Sequence, residues 1–89
     1  MHSNFLLGQL QLSDDARIKL QRLPMDLIAR HAVNDHGNIT AAEAKMNALS
    51  MKVIGKVISR YYVDPTNKRA GNVLVTTNEE MDATTVTLE

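Results

Sequence analysis

Two short polar turns divide the second half of the chain, and they limit what it can fold into. Asp64-Pro65-Thr66-Asn67 is one; Asn78 to Asp82 is the other. Pro65 fixes its own φ, and the Asp64 side chain can bond the turn backbone. Around these turns lie three apolar stretches. Val53 to Val63 carries Val53, Ile54, Val57, Ile58, Tyr61, Tyr62 and Val63, a β-branched and aromatic set. Val73-Leu74-Val75 follows, and Thr84, Val86 and Leu88 alternate with Thr85 and Thr87. Three consecutive strands on short turns are most simply an antiparallel meander.

The first half has a different period. Phe5 to Leu12 reads as a strand with Leu6, Leu10 and Leu12 on its apolar side, and Gly8 marks a bulge or a close backbone approach. Ser13 before Asp14 and Asp15 is a helix start. Ala16, Leu20 and Leu23 recur at helical spacing, and Pro24 separates this helix from a second with the stripe Leu27, Ile28, His31 and Ala32. Asn34 to Asn38 is rich in turn formers and ends it. Thr40-Ala41-Ala42-Glu43 is a capping box, with Ile39 and Ala44 placed for a hydrophobic staple. The helix from Ala41 to about Ser50 presents Ala44, Ala48 and Met51 on one stripe. The expected fold is therefore α+β and two-layered: a three-stranded antiparallel meander, with the N-terminal strand as a fourth at one edge, packed on two to three short helices.

At 89 residues the expectation is a single domain over residues 1–89, too short for a complete kinase, nuclease or methyltransferase. The absence of cysteine removes disulfides, Cys-type zinc sites, iron–sulfur clusters and thiol nucleophiles. The N-terminal stretch has neither a basic start nor a long apolar run, so the expected location is the host-cell cytoplasm, with no membrane partner.

Charge sums to zero but is unevenly spread. Lys45, Lys52, Lys56, Arg60, Lys68 and Arg69 make the middle basic, while Glu79, Glu80, Asp82 and Glu89 make the C-terminal part acidic. The bland reading is mutual neutralisation across a sheet, with salt bridges from the basic strand to Glu79 or Glu80. The sharper reading offers the acids to a protein partner, and Lys52, Lys56, Arg60, Lys68 and Arg69 to nucleic acid. With only Phe5, Tyr61 and Tyr62 as aromatics, a base-stacking platform is poorly supplied.

His31, Asp35 and His36 are the nearest approach to a metal or acid–base cluster. On a continuous helix, positions five apart point about 140° away from each other, so the bland reading prevails: His31 half-buried, Asp35 capping the turn or pairing with Arg30. Glu43 and Asn47 share a helix face, Glu43 as a cap and Asn47 bonding a neighbouring loop. Ser59 and Tyr61 fall on one strand face and Tyr62 on the other. Ser59 has no nucleophile-elbow motif around it and is assigned to packing. No metal and no cofactor are expected.

The run Arg30-His31, Asp35-His36-Gly37, Glu43 and Asn47, then Ser59-Arg60-Tyr61, Thr77 and Thr84-Thr85-Val86, resembles a family of short phage- and plasmid-borne proteins. Leu7-Gly8 resembles that family's opening Leu-Gly. His36 stands where the family usually has Trp, and Asn78 and Glu80-Met81 where it has Glu and Asp-Arg. Some members carry a restriction–modification subunit name, yet no glycine loop for S-adenosylmethionine and no catalytic motif is present here. The resemblance implies a mobile-element setting and a small protein that binds and inhibits or modulates a host protein, such as a restriction or CRISPR-type defence complex. The alternative is a small nucleic-acid-binding regulator. An open sheet edge at Thr84 to Leu88 would further invite a homodimer.

Overall fold

The computed structural model describes residues 5–50 and 55–89. Strand β1 (Gln9–Leu12) leads into helices α1 (Asp14–Leu20), α2 (Met25–Ala32) and α3 (Ala41–Ser50). Strands β2 (Val57–Tyr62), β3 (Asn72–Thr77) and β4 (Ala83–Leu88) follow, with a 3-10 turn, Lys68–Ala70, before β3. The fold is α+β. The sheet order is β1-β4-β3-β2, with β2-β3-β4 antiparallel and β1 parallel to β4.

The meander follows from its turns. Asp64 Oδ1 accepts from the Thr66 N–H at 2.9 Å, and Asn78 Oδ1 accepts from the Asp82 and Ala83 N–H groups. Inward residues alternate strictly along β2 and β3. Val57, Ser59 and Tyr61, then Val73, Val75 and Thr77, face the helices, together with Thr84 and Val86 of β4. α1 lies over β4, and α2 over β2 and β3. Ala16, Leu27, Ile28, Tyr61, Val73, Val75 and Val86 form the core.

Several sequence expectations need correction. The first strand begins at Gln9 rather than Phe5. Gly8 has φ +67°, and a Cβ there would meet the Asp82 backbone carbon at 2.0 Å, a close approach. That twist breaks the alternation: Phe5 is buried and Leu7 packs on the core, while of the expected apolar side Leu6 and Leu10 are exposed and only Leu12 packs inward. Leu23 is likewise exposed, because α1 ends at Leu20 with Gln21 left-handed. The edge expected to be open at Thr84 to Leu88 is covered by β1 as far as Val86, from Gln9↔Ala83 to Leu12↔Val86. The second strand starts at Val57, while Val53, Ile54, Met51 and Lys52 lie outside the described residues.

α3 departs furthest from its expected stripe. Its Ala44 and Ala48 are exposed, and its buried residues are Asn47 and Ser50. The reason is where it docks: α3 packs against the edge strand β2, not on the face of the sheet. A strand edge offers unpaired N–H and C=O groups, so polar side chains and not alanines turn inward. The capping box forms as expected. Thr40 Oγ1 accepts from the Glu43 N–H, and Glu43 Oε1 accepts from the Thr40 N–H.

Candidate functional site

One continuous hydrogen-bond chain runs through the interior. His36 Nδ1 lies 2.7 Å from Ser59 Oγ, which lies 2.6 Å from His31 Nδ1. His31 Nε2 is 2.8 Å from Thr77 Oγ1, which is 2.7 Å from Thr84 Oγ1, and Thr84 donates to the Leu7 carbonyl at 2.6 Å. His31, Ser59, Thr77 and Thr84 are fully or almost fully buried. Among the described residues no buried side-chain N or O atom lacks a partner.

Two sequence readings change here. His31 is completely buried rather than half-buried, and Ser59 is the junction of both histidines rather than a packing residue. His31 and His36 do not diverge, because α2 ends at Ala32 and Asn34 takes φ +64°, folding the chain back. Their rings meet edge to face with centroids 5.8 Å apart, and Phe5 packs edge-on against His31 at 5.1 Å.

The chain has one direction. A carbonyl only accepts, so the single Thr84 proton goes to Leu7 and Thr84 must accept from Thr77. The Thr77 proton is then used, so His31 Nε2 carries a hydrogen and donates to Thr77. His31 is neutral: burial, and secondarily the nearby His36, push its pKa down to about 4. Its Nδ1 therefore accepts the Ser59 proton, and His36 must donate to Ser59 through Nδ1–H. The tautomer of a partly exposed histidine is thus set by a backbone carbonyl 29 residues earlier in the chain. Burial also lowers the His36 pKa, with Asp35 acting weakly against it. In its neutral form His36 keeps an unprotonated Nε2 that makes no hydrogen bond among the described residues.

His36 opens onto a crevice of about 230 Å³ between the α2–α3 loop and α3, shared with Asn34, Ile39, Ala44, Asn47 and Ala48. The expected staple residues Ile39 and Ala44 are two of its walls. A wider hollow of about 410 Å³ lies beside α2 and includes Arg22, Asp26, Arg30 and Tyr62. Its arginines are taken: Asp26 holds Arg22 at 2.6 Å and Asp35 holds Arg30 at 2.7 Å. Arg30 also stacks on Tyr61, whose hydroxyl donates to the Asp35 carbonyl. Burial raises the Tyr61 pKa to about 12.

The β2 edge is sealed by side chains and a loop. Asn47 pairs with Ile58, the His36 carbonyl accepts from the Arg60 N–H, and the Asn38 N–H donates to the Arg60 carbonyl. Ser50 Oγ donates to the Lys56 carbonyl at 2.6 Å. Asn47 was expected to bond a loop and bonds a strand instead. Gly37, in the middle of the sealing loop, stands across from Arg60.

Of the basic set, Arg60 is clamped between Glu43 and Glu89, each contacted through two nitrogens. The expected partners Glu79 and Glu80 are not involved, since they sit on the β3–β4 turn at the other end of β4 from Glu89. Arg60 holds the Glu43 pKa down to about 2 and is itself pushed further up. Lys68 rests over the Tyr62 ring at 5.6 Å, while Lys56 and Arg69 are exposed. The acidic set also divides: Glu79, Glu80 and Asp82 are exposed on the turn, and Glu89 is held by Arg60 and Asn72. Thr85 lies on the open face of the sheet, 3.3 Å from Gln11.

Among the described residues no three His, Asp or Glu side chains gather as metal ligands, and no helix is long and apolar enough to cross a membrane. No protein-family model, no curated protein and no solved structure matches the chain.

The internal chain and the crevice were missed from sequence. A signal existed. Ser59, Thr77 and Thr84 occupy inward strand positions, where a polar side chain needs a partner, and His31 sits on the apolar stripe of α2.

Proposed function

We propose that the protein works by binding another protein, in the mobile-element setting its sequence resembles, and so inhibits or modulates a host complex such as a restriction or CRISPR-type defence system. The observation that carries this reading is the contrast between interior and surface on the α3 side. The residues able to do chemistry, His31, Ser59, Thr77 and Thr84, are buried and spend their protons on one another and on the Leu7 carbonyl. Outside, α3 leaves Met46 and Leu49 (60% exposed) uncovered, and its Ala44 and Ala48 line the His36 crevice. Large apolar side chains left in water beside an apolar crevice are a feature of interaction surfaces. Glu79, Glu80 and Asp82 offer an acidic edge for a basic partner region. The nucleic-acid alternative keeps Lys56, Lys68 and Arg69, but its central Arg60 is neutralised by two carboxylates.

Affinity capture with tagged protein, from bacteria carrying such a defence system, should recover a stoichiometric partner. Leu49→Lys should release it, and Lys56→Gln should not. Recovery of no stoichiometric partner sinks this reading. Salt-dependent binding of duplex or single-stranded DNA, weakened by Lys68→Gln, would favour the alternative.

A further inference from the structure

We propose that the His36 crevice is a receptor for one aromatic side chain of the partner, a Trp or Tyr whose N–H or O–H donates to His36 Nε2. The inference rests on the partner-binding reading above and names the chemistry of the contact. Three observations support it: volume, wall chemistry and hydrogen-bond direction.

The crevice measures about 230 Å³. Sites for nucleotides and drug-sized ligands run from roughly 300 Å³ upward, so it is too small for a cofactor. A cavity of about 150 Å³ already admits benzene, so a single aromatic ring fits. Ile39, Ala44 and Ala48 supply apolar wall, and Asn34 and Asn47 complete the lining with His36. An ammonium or guanidinium placed there would lose hydration without a carboxylate to replace it, since no wall residue is acidic.

Direction decides the polar group. The internal chain forces the hydrogen of neutral His36 onto Nδ1, so Nε2 can only accept. A carboxylate would meet a lone pair there, whereas an indole N–H or phenol O–H meets its complement. Trp and Tyr, apolar at one end and donating at the other, are the side chains enriched at the centres of interfaces. Asp35, the nearest charged neighbour of His36, is neutralised by Arg30, and His31 behind Ser59 is neutral.

The probes are indole and N-methylindole, titrated into the full chain at neutral pH and followed by nitrogen-detected imidazole spectra. Indole should bind saturably, shift the His36 Nε2 resonance and lower the His36 titration midpoint, because the donor needs the unprotonated nitrogen. N-methylindole, without the N–H, should bind about fivefold more weakly. Ala48→Leu, a change at an exposed helix position that fills the crevice, should abolish indole binding while the amide spectrum keeps its dispersion. Equal binding of the two probes, a rise in the His36 midpoint, or unchanged binding to the Ala48→Leu variant would overturn the proposal. Partner capture separates the two readings. A partner retained by the Ala48→Leu variant overturns the crevice assignment and leaves protein binding standing. Release of the partner by that variant supports the assignment. Indole binding without any captured partner overturns both the protein source of the ring and the partner-binding reading.

Discussion

The side-chain amide of Asn47 takes both backbone groups of Ile58 at once: Nδ2 donates to the Ile58 carbonyl and Oδ1 accepts from the Ile58 N–H, each at 2.8 Å. A neighbouring strand would make the same pair of bonds. With the His36–Asn38 loop and Ser50, this substitution of side chain for strand closes an edge that would otherwise template association.

Asn47→Ala should therefore act on both stability and solution state. Two backbone groups of the partly buried Ile58 lose their partners, at a cost of about 1–3 kcal/mol. Asn47→Asp keeps the acceptor but sets a buried carboxylate oxygen against the Ile58 carbonyl, so near neutral pH it should cost at least as much as the alanine change. Urea unfolding measures the difference, amide exchange at Ile58 should accelerate sharply for the alanine variant, and sizing should show concentration-dependent self-association.

Acid should weaken the fold in two successive windows. His31 titrates at about 6.5 when unfolded and about 4 when folded, so the unfolded chain binds the proton first. Its contribution is complete above pH 6.5 and is lost as pH falls toward 4, a change of order 3 kcal/mol. Glu43 falls from 4.5 to about 2 because Arg60 holds its charged form. Its contribution is complete above pH 4.5 and is lost as pH falls toward 2, and partial exposure limits it to about 1–2 kcal/mol. Both signs agree, so stability should fall steadily from pH 7 to pH 3. His31→Gln should flatten the upper window. Glu43→Gln, which still caps Thr40, should flatten the lower one. Stability against pH in urea separates the two.

Gly8→Ala should be among the most damaging single-methyl changes. The residue sits at φ +67°, and its added carbon would overlap the Asp82 backbone. Local strain combined with a clash against main chain implies at least about 3 kcal/mol. The damage should be local in origin. The bond from Gln9 N–H to the Asp82 carbonyl and the β1–β4 pairing should fail first, seen as early amide exchange in β1 and β4.

The meander was legible because its signals are local: turn residues at fixed offsets and alternation between them. The capping box and the Leu27, Ile28, His31, Ala32 stripe were legible for the same reason. The stripe of α3 was not, since Ala44 and Ala48 read as apolar contacts only if the helix lies on a sheet face, and a strand edge selects Asn47 and Ser50 instead. The parallel pairing of β1 with β4 joins segments more than 70 residues apart, which no local pattern encodes. The histidine site needed two facts beyond periodicity. One was the left-handed turn at Asn34, and the other was the register that sets Thr77 against Thr84. Ser59 illustrates the limit: its inward position was visible, its two imidazole partners were not.

The direction of the buried chain makes a prediction at long range. Thr84→Val preserves shape and removes the hydroxyl that both donates to Leu7 and accepts from Thr77. Thr77 then has no acceptor on that side, and its proton turns to His31 Nε2. His31 must carry its hydrogen on Nδ1 and donate to Ser59, Ser59 must donate to His36 Nδ1, and the hydrogen of His36 must move to Nε2. The exposed face of His36 thus changes from acceptor to donor without any contact with residue 84. Loss of the bond to Leu7 should cost about 1–3 kcal/mol. Imidazole nitrogen spectra of the variant at neutral pH should show both histidines in the opposite tautomer, and indole should lose its preference over N-methylindole. Thr84→Ser, which restores the hydroxyl, should restore the original tautomers. Unchanged spectra for Thr84→Val would show that the Leu7 carbonyl does not set the polarity of the chain.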